Sequence, residues 1–304
     1  MSVGEEMDMR SHRAVHAAIT GCIVLFLYLI IASAAQAGIF YDVAIRGTYE
    51  DNVVGLLSDK RGGTAGMPAT GPGMMGAVMG PGGMGGMGGS IPQDTGVQSK
   101  SDFSINYFAD IGGSTDIASG TYLFLIGSAQ HTSYNSFNEF DNTIGGLTAG
   151  IDKNLGDIVT VRLAINGAIK RYTDSVRDSS AFGPIVTFKE QFTPLLWLKE
   201  SYYYEKNNAD SAFFTYTGNF IGIWGGYLVL PKTTLLLGYN HLVRDYDEPA
   251  GFQVTSNTIS AGVAQEFAKR WFIDAQYDHQ MSDSNVPGTS SNDNIFSVGV
   301  RFSY

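Results

Sequence analysis

The sequence predicts an all-β fold: an antiparallel up-and-down transmembrane β-barrel of about twelve strands, within a range of ten to fourteen. Three observations predict it. Apolar and polar residues alternate with period two in a succession of segments separated by Gly, Pro, Asn, Asp and Ser. The connections between these segments are alternately short and long. The chain also opens on an export-type leader and keeps its alternation up to its last aromatic residue, where termini ordinarily fray.

From Ala17 to Ala37 there is no charge, and the run Cys22 to Ile31 is strongly apolar. Arg10 and Arg13 precede it, and Ala35 and Ala37 supply the small residues a signal peptidase requires, so residues 1–37 read as a secretory signal peptide cut before Gly38. A retained membrane anchor is the competing reading, because the uncharged run is just long enough to span a bilayer. Small residues replace apolar ones toward the end of the run and no basic cluster follows, which argues against an anchor. Glu5, Glu6 and Asp8 are unusual in a leader, and initiation at Met7 or Met9 would remove most of them.

Cys22 is the only cysteine and precedes the apolar core of the leader, whereas a lipidated cysteine follows it. The exported chain, 38–304, then has no disulfide framework, no thiol nucleophile and no cysteine metal site. The formal net charge of −10 makes it a poor nucleic-acid binder, since phosphate contacts need concentrated Lys and Arg.

Twelve alternating segments follow, over 39–51, 101–112, 119–132, 142–153, 157–173, 181–192, 195–207, 211–229, 233–246, 253–267, 270–282 and 292–304. Most exceed the usual length of a strand in a soluble sheet and suit a tilted strand that needs about 9–11 residues to cross a bilayer. Short connections at 154–156, 193–194, 230–232 and 268–269 alternate with longer, more polar ones at 52–100, 133–141, 174–180, 207–210, 247–252 and 283–291. Membrane barrels have short periplasmic turns and long outer loops, and an even strand number returns both termini to the periplasm. A soluble antiparallel sheet with one wet face alternates in the same way along each strand, but needs neither a leader nor alternating loop lengths.

Facing follows from the cost of a charge at bilayer depth. In the fifth segment Val159, Val161, Leu163, Ile165 and Ile169 oppose Thr160, Arg162, Ala164, Asn166 and Lys170. In the first, Ile39, Tyr41, Val43 and Ile45 oppose Asp42, Arg46 and Glu50; in the eleventh, Trp271, Ile273, Ala275 and Tyr277 oppose Asp274, Gln276 and Asp278. The interior is therefore expected to be polar and charged, lined by Asp42, Arg46, Glu50, Asp110, Arg162, Lys170, Lys189, Arg244, Glu266, Asp274, Asp278 and Arg301. Tyr49, Tyr202, Tyr204, Tyr239, Trp271 and Tyr304 suit interfacial girdles.

Residues 62–90 hold 13 Gly and 6 Met in 29 positions, with no charge between Gly62 and Gln93. Such a segment cannot bury enough surface to offset ordering, so 54–100 is expected to be a disordered insert in the first outer loop. Its thioethers could favour Cu(I), but no His, Cys or carboxylate accompanies them, and a flexible repeat expansion is the simpler reading.

No Walker loop, dinucleotide fingerprint, HExxH or CxxCH occurs, and no cofactor or metal site is expected. His131, His241 and His279 lie near outer strand ends, with Ser133 and Ser282 close in sequence to two of them, but a nucleophile and base must meet in space and nothing local shows that they do. The chain is therefore expected not to be an enzyme. Asp245, Asp247 and Glu248 could hold a hard cation but lack a full oxygen set, and read as a solvated acidic loop.

The ending Ser297-Val298-Gly299-Val300-Arg301-Phe302-Ser303-Tyr304 resembles the C-terminal assembly signal of bacterial outer-membrane β-barrels, with Ser297, Gly299, Phe302 and Tyr304 at the matching positions. Tyr49-Glu50-Asp51-Asn52-Val53 is similar to a motif of β-barrel porin families. The resemblance implies the outer membrane of a Gram-negative-type bacterium, contact with its lipid and lipopolysaccharide, and handling by the barrel assembly machinery. The last strand is expected to pair with the segment starting at Ile39, with Arg301 inward and Phe302 and Tyr304 toward lipid. Twelve strands give a barrel wider than the filled eight-stranded kind and narrower than a sixteen-stranded porin. A porin-like channel for small polar or ionic solutes is the first expectation, and a non-conducting scaffold engaging a protein partner through its outer loops is the second.

Overall fold

The computed structural model describes residues 38–52, 101–286 and 290–304. The leader and the Gly/Met-rich insert fall outside these residues. Twelve antiparallel strands form one closed barrel in which each strand pairs with its neighbours in sequence. They are β1 (Gly38–Glu50), β2 (Asp102–Ala118), β3 (Thr121–Tyr134), β4 (Asn142–Leu155), β5 (Val159–Tyr172) and β6 (Ser179–Thr193). The remainder are β7 (Leu196–Ala209), β8 (Tyr216–Leu230), β9 (Thr233–Tyr246), β10 (Gln253–Ala268), β11 (Trp271–Ser284) and β12 (Ser291–Ser303).

The connections divide as the loop lengths predict. At the end that carries both barrel termini, the turns are tight, and Gly120, Gly156, Lys232 and Arg270 take positive φ there. The register slips by one residue beside the turns after β2, β6, β8 and β10; after β2, β8 and β10 the bulge accompanies a left-handed residue, Gly120, Lys232 or Arg270. At the other end the connections are longer, and among the described residues three hold a single 3-10 turn: Asn138–Phe140, Ser175–Arg177 and Ala212–Phe214. The sequence reading ran the eighth strand from 211; the strand starts at Tyr216 because Phe214 turns inward and is buried.

Closure occurs between β1 and β12, whose register runs from Asp42 opposite Ser303 to Glu50 opposite Ile295. Tyr304 extends the ladder: its N–H donates to Tyr41 O at 2.9 Å and its carbonyl accepts from Tyr41 N–H at 3.1 Å. The two rings stack with centroids 5.0 Å apart, and the Arg270 guanidinium lies 3.6 Å from the Tyr304 ring centre. Trp271 meets Phe302 edge-on at 5.0 Å, which continues this aromatic girdle around the seam. Gly299 permits the close approach of the two strands, because a Cβ there would lie 2.9 Å from the carbonyl oxygen of Ile45.

Side chains alternate as a lipid-solvated barrel requires. Ile39, Val43 and Ile45 on β1, Leu163, Ile165 and Ile169 on β5, and Phe296, Val298 and Val300 on β12 are exposed. Asp42, Arg46, Arg162, Lys170, Ser297 and Arg301 on the opposite faces are buried. Glu200 is an exception on the outer surface, where it sits exposed between Phe188 and Ile223 of the flanking strands.

Candidate functional site: the barrel interior

All twelve residues expected to line the lumen occupy inward positions of their strands. Asp42, Arg46, Glu50, Arg162, Lys170, Arg244, Asp274, Asp278 and Arg301 are buried; Asp110, Lys189 and Glu266 are half-buried. The interior is not purely polar, however. Phe124, Ile126, Ile185, Tyr203, Tyr216, Leu242 and Val254 also point inward and form one buried cluster, with Phe40 and Phe220 packed against it. The sequence reading missed this because strands such as Tyr122 to Ile126 are apolar at every position, and alternation then gives no facing.

Charges inside pair along the wall. Arg162 grips Asp152 on the neighbouring strand through two bonds, Nε to Oδ1 at 2.7 Å and NH2 to Oδ2 at 2.8 Å, while its guanidinium lies 4.1 Å from the centre of the Phe124 ring. Arg301 reaches Asp274 at 3.4 Å and Asp42 at 4.0 Å, one on each flanking strand. Toward the loop end, Lys170 Nζ donates to Glu205 Oε1 and Asn207 Oδ1, both at 3.1 Å. Tyr216 and Tyr203 donate their hydroxyls to the two oxygens of Glu205 at 2.6 and 2.8 Å.

At the terminal end the interior opens into a cavity of about 660 Å³, lined among others by Phe40, Asp42, Tyr122, Asp152, Arg162 and Lys189. Two like-charged cross-strand pairs face one another across this level of the barrel. Lys189 on β6 stands directly opposite Lys199 on β7, and Asp42 on β1 stands directly opposite Asp110 on β2. The closed strand order sets these pairs five strand steps apart one way round the barrel and seven the other. Directly opposed like charges cost stability in a sheet, so the arrangement is not explained by folding alone. Lys199 and Glu205 escaped the sequence reading because charges occupy both parities of β7, as in Lys199-Glu200, and only the register shows which faces inward.

His131, His241 and His279 lie on the outer surface near the loop end. His241 Nδ1 is 2.9 Å from Asn257 Oδ1, which also accepts from the Tyr239 hydroxyl at 2.8 Å. The same triad recurs two strands on: His279 Nδ1 is 3.0 Å from Asn294 Oδ1, which accepts from Tyr277 at 2.7 Å. His131 instead contacts Thr143 at 2.9 Å. The serine–histidine pairs weighed from the sequence do not form: Ser282 points inward and bonds Ser256, whereas Ser133 bonds Asp141. Of the acidic residues weighed for a cation, Asp245, near the end of β9, accepts from Gln253 at 2.7 Å, and Asp247, in the loop that follows, contacts Lys206 at 3.5 Å.

No protein-family model and no curated protein matches the sequence. Among solved structures, an outer-membrane channel from Pseudomonas putida F1 superposes with a TM-score of 0.55 at 9% identity, covering 88% of this chain and 96% of that one. The NanC porin superposes with a TM-score of 0.45 at 14% identity, covering 65% of this chain and 93% of that one. The KdgM porin gives 0.40 at 12%, covering 66% and 99%. The barrel fold is thus shared with outer-membrane proteins.

Proposed function

We propose that the protein is an outer-membrane channel for small polar or ionic solutes, with the terminal end facing the periplasm. The shared fold supplies the barrel and its membrane setting; the function rests on the interior of this chain. The observation that carries it is the opposition of the Lys189/Lys199 wall to the Asp42/Asp110 wall at the level of the cavity. Charges of opposite sign on facing walls of a narrow lumen set a transverse field that sorts solutes by charge and dipole. The inward aromatics narrow the path, so passage is selective rather than bulk. Transport rather than catalysis is supported by His241 and His279, which hold the side-chain amides of Asn257 and Asn294 instead of a nucleophile.

Purified protein in planar bilayers tests this reading. Discrete conductance steps are expected, with a reversal potential in asymmetric KCl that shifts when Arg162 or Arg301 is replaced by Glu. A folded barrel that passes no current would overturn it in favour of the scaffold.

A further inference from the structure

We infer that Lys189 and Lys199, with Arg162 beside them, form a binding subsite for a small organic anion bearing carboxylate or phosphate groups, entered through the cavity at the terminal end. The inference deepens the channel reading by naming the chemistry of the solute that the cavity holds.

Three observations carry it. Lys189 and Lys199 are register partners on β6 and β7 and both occupy inward positions, which sets their Cβ atoms about 4.5–5.5 Å apart. Neither ammonium has a hydrogen-bond or ion-pair partner among the described residues, whereas the inward cations Arg162, Lys170 and Arg301 each hold a carboxylate. Arg162 is adjacent: Thr160 pairs with Lys189, and Arg162, two residues along, pairs with Thr187. Two neighbouring ammonium groups without a counterion repel each other, and a bridging anion turns that repulsion into two charge-assisted hydrogen bonds.

The cavity supplies the remainder of the site. Its volume of about 660 Å³ is that of a small-molecule site. Tyr122 and Phe40 line it with Lys189, and the Phe40 ring lies over Gly112 of the next strand, where any Cβ would meet it at 2.4 Å. An apolar or ring-bearing body therefore has a surface to rest on while its anionic group reaches the lysines. Asp42 on the facing wall repels a second carboxylate placed there and favours a hydroxyl, which directs the anionic end of the solute toward β6 and β7.

Isothermal titration of the full chain in detergent micelles, with citrate, inorganic phosphate and glucose 6-phosphate as probes and glucose as the neutral control, tests the subsite without requiring conductance. Binding of at least one anion is expected to weaken about tenfold in Lys189→Gln and in Lys199→Gln. It should be unchanged in Lys153→Gln, which removes a lysine whose ammonium holds Ser119 and Thr121 at the terminal-end turn. A heat-modifiable gel shift confirms that each variant is folded. Equal affinity of the wild type and both lumen variants for every anion, or no binding below 100 mM, a bound on the order of the weakest specific contact, overturns the inference. Anion binding without conductance would uphold the subsite while removing the channel reading; conductance insensitive to both lysines would do the reverse.

Discussion

Lys170 Nζ and Glu205 Oε1 lie 3.1 Å apart, on strands separated by β6, in a part of the lumen where neither side chain is more than 1% exposed. The pair reaches past Ser179 and Ala181 of the intervening strand, and two tyrosine hydroxyls and Asn207 complete its hydrogen bonding. A buried ion pair satisfied in this way fixes where three strands stand relative to one another more than it adds net stability.

Removing one partner leaves the other buried and unpaired. Glu205→Leu and Lys170→Met are each expected to lower the unfolding free energy by about 3–5 kcal/mol, and the double variant to recover most of it. Guanidinium unfolding in micelles, followed by the loss of the heat-modifiable band, measures the three values. Equal and additive losses would show that the pair does not act as a unit.

The seam depends on Gly299 and Tyr304. Gly299→Val places a Cβ against the Ile45 carbonyl and should sharply reduce the yield of closed barrel. Tyr304→Ala removes the stack on Tyr41 and the Arg270 contact, for a loss of about 1–2 kcal/mol. Both outcomes are read as the folded fraction on an unheated gel.

The paired triads on the outer surface make a graded prediction. Asn257→Ala and Asn294→Ala each remove an acceptor shared by a tyrosine and a histidine, at about 1–2 kcal/mol apiece, and Asn294→Ala costs more because its Nδ2 also donates to Asp51 Oδ2 at 2.6 Å. The triads sit on different strand pairs, so the double variant should be additive within about 0.5 kcal/mol in the same unfolding measurement.

The two charged walls should act on current in opposite senses. Asp42→Asn with Asp110→Asn is expected to raise anion preference and Lys189→Gln with Lys199→Gln to lower it, seen as reversal-potential shifts of opposite sign in asymmetric KCl. Shifts of the same sign would mean that the walls do not face one conduction path.

Orientation is open to direct labelling, because residues 38–304 contain no cysteine. A cysteine at Glu248, in a long loop, should react with a membrane-impermeant maleimide on intact cells, and one at Lys232, in a tight turn, only after permeabilisation.

Much of the fold was legible. The ninth strand has the bounds that the alternation gave, Thr233–Tyr246, because Leu235, Leu237 and Tyr239 oppose Thr234, Gly238 and Asn240, although Leu236 and Leu242 also face inward. The charged lumen positions were legible for the same reason: a lone charge in an alternating strand has only one face where it is affordable. The site was less so. Phe124 and Ile185 sit inside strands that are apolar on both faces, and Glu200 breaks parity beside Lys199. The opposition of Lys189 to Lys199 and of Asp42 to Asp110 is a fact of register between strands, which no single strand encodes.

The seam between β1 and β12 also sets an order of events. The first strand of the barrel finds its second partner only in the last one, so the ladder from Asp42–Ser303 to Glu50–Ile295 joins residues almost the whole barrel apart in sequence. Such contacts are the slowest to form. Until they do, one side of β1 is a bare row of amides and carbonyls next to Ile39, Val43 and Ile45, ready to template the wrong strand from another chain. An unclosed copy of the barrel is therefore most vulnerable to aggregation just before completion, and needs shelter for that edge until Tyr304 arrives.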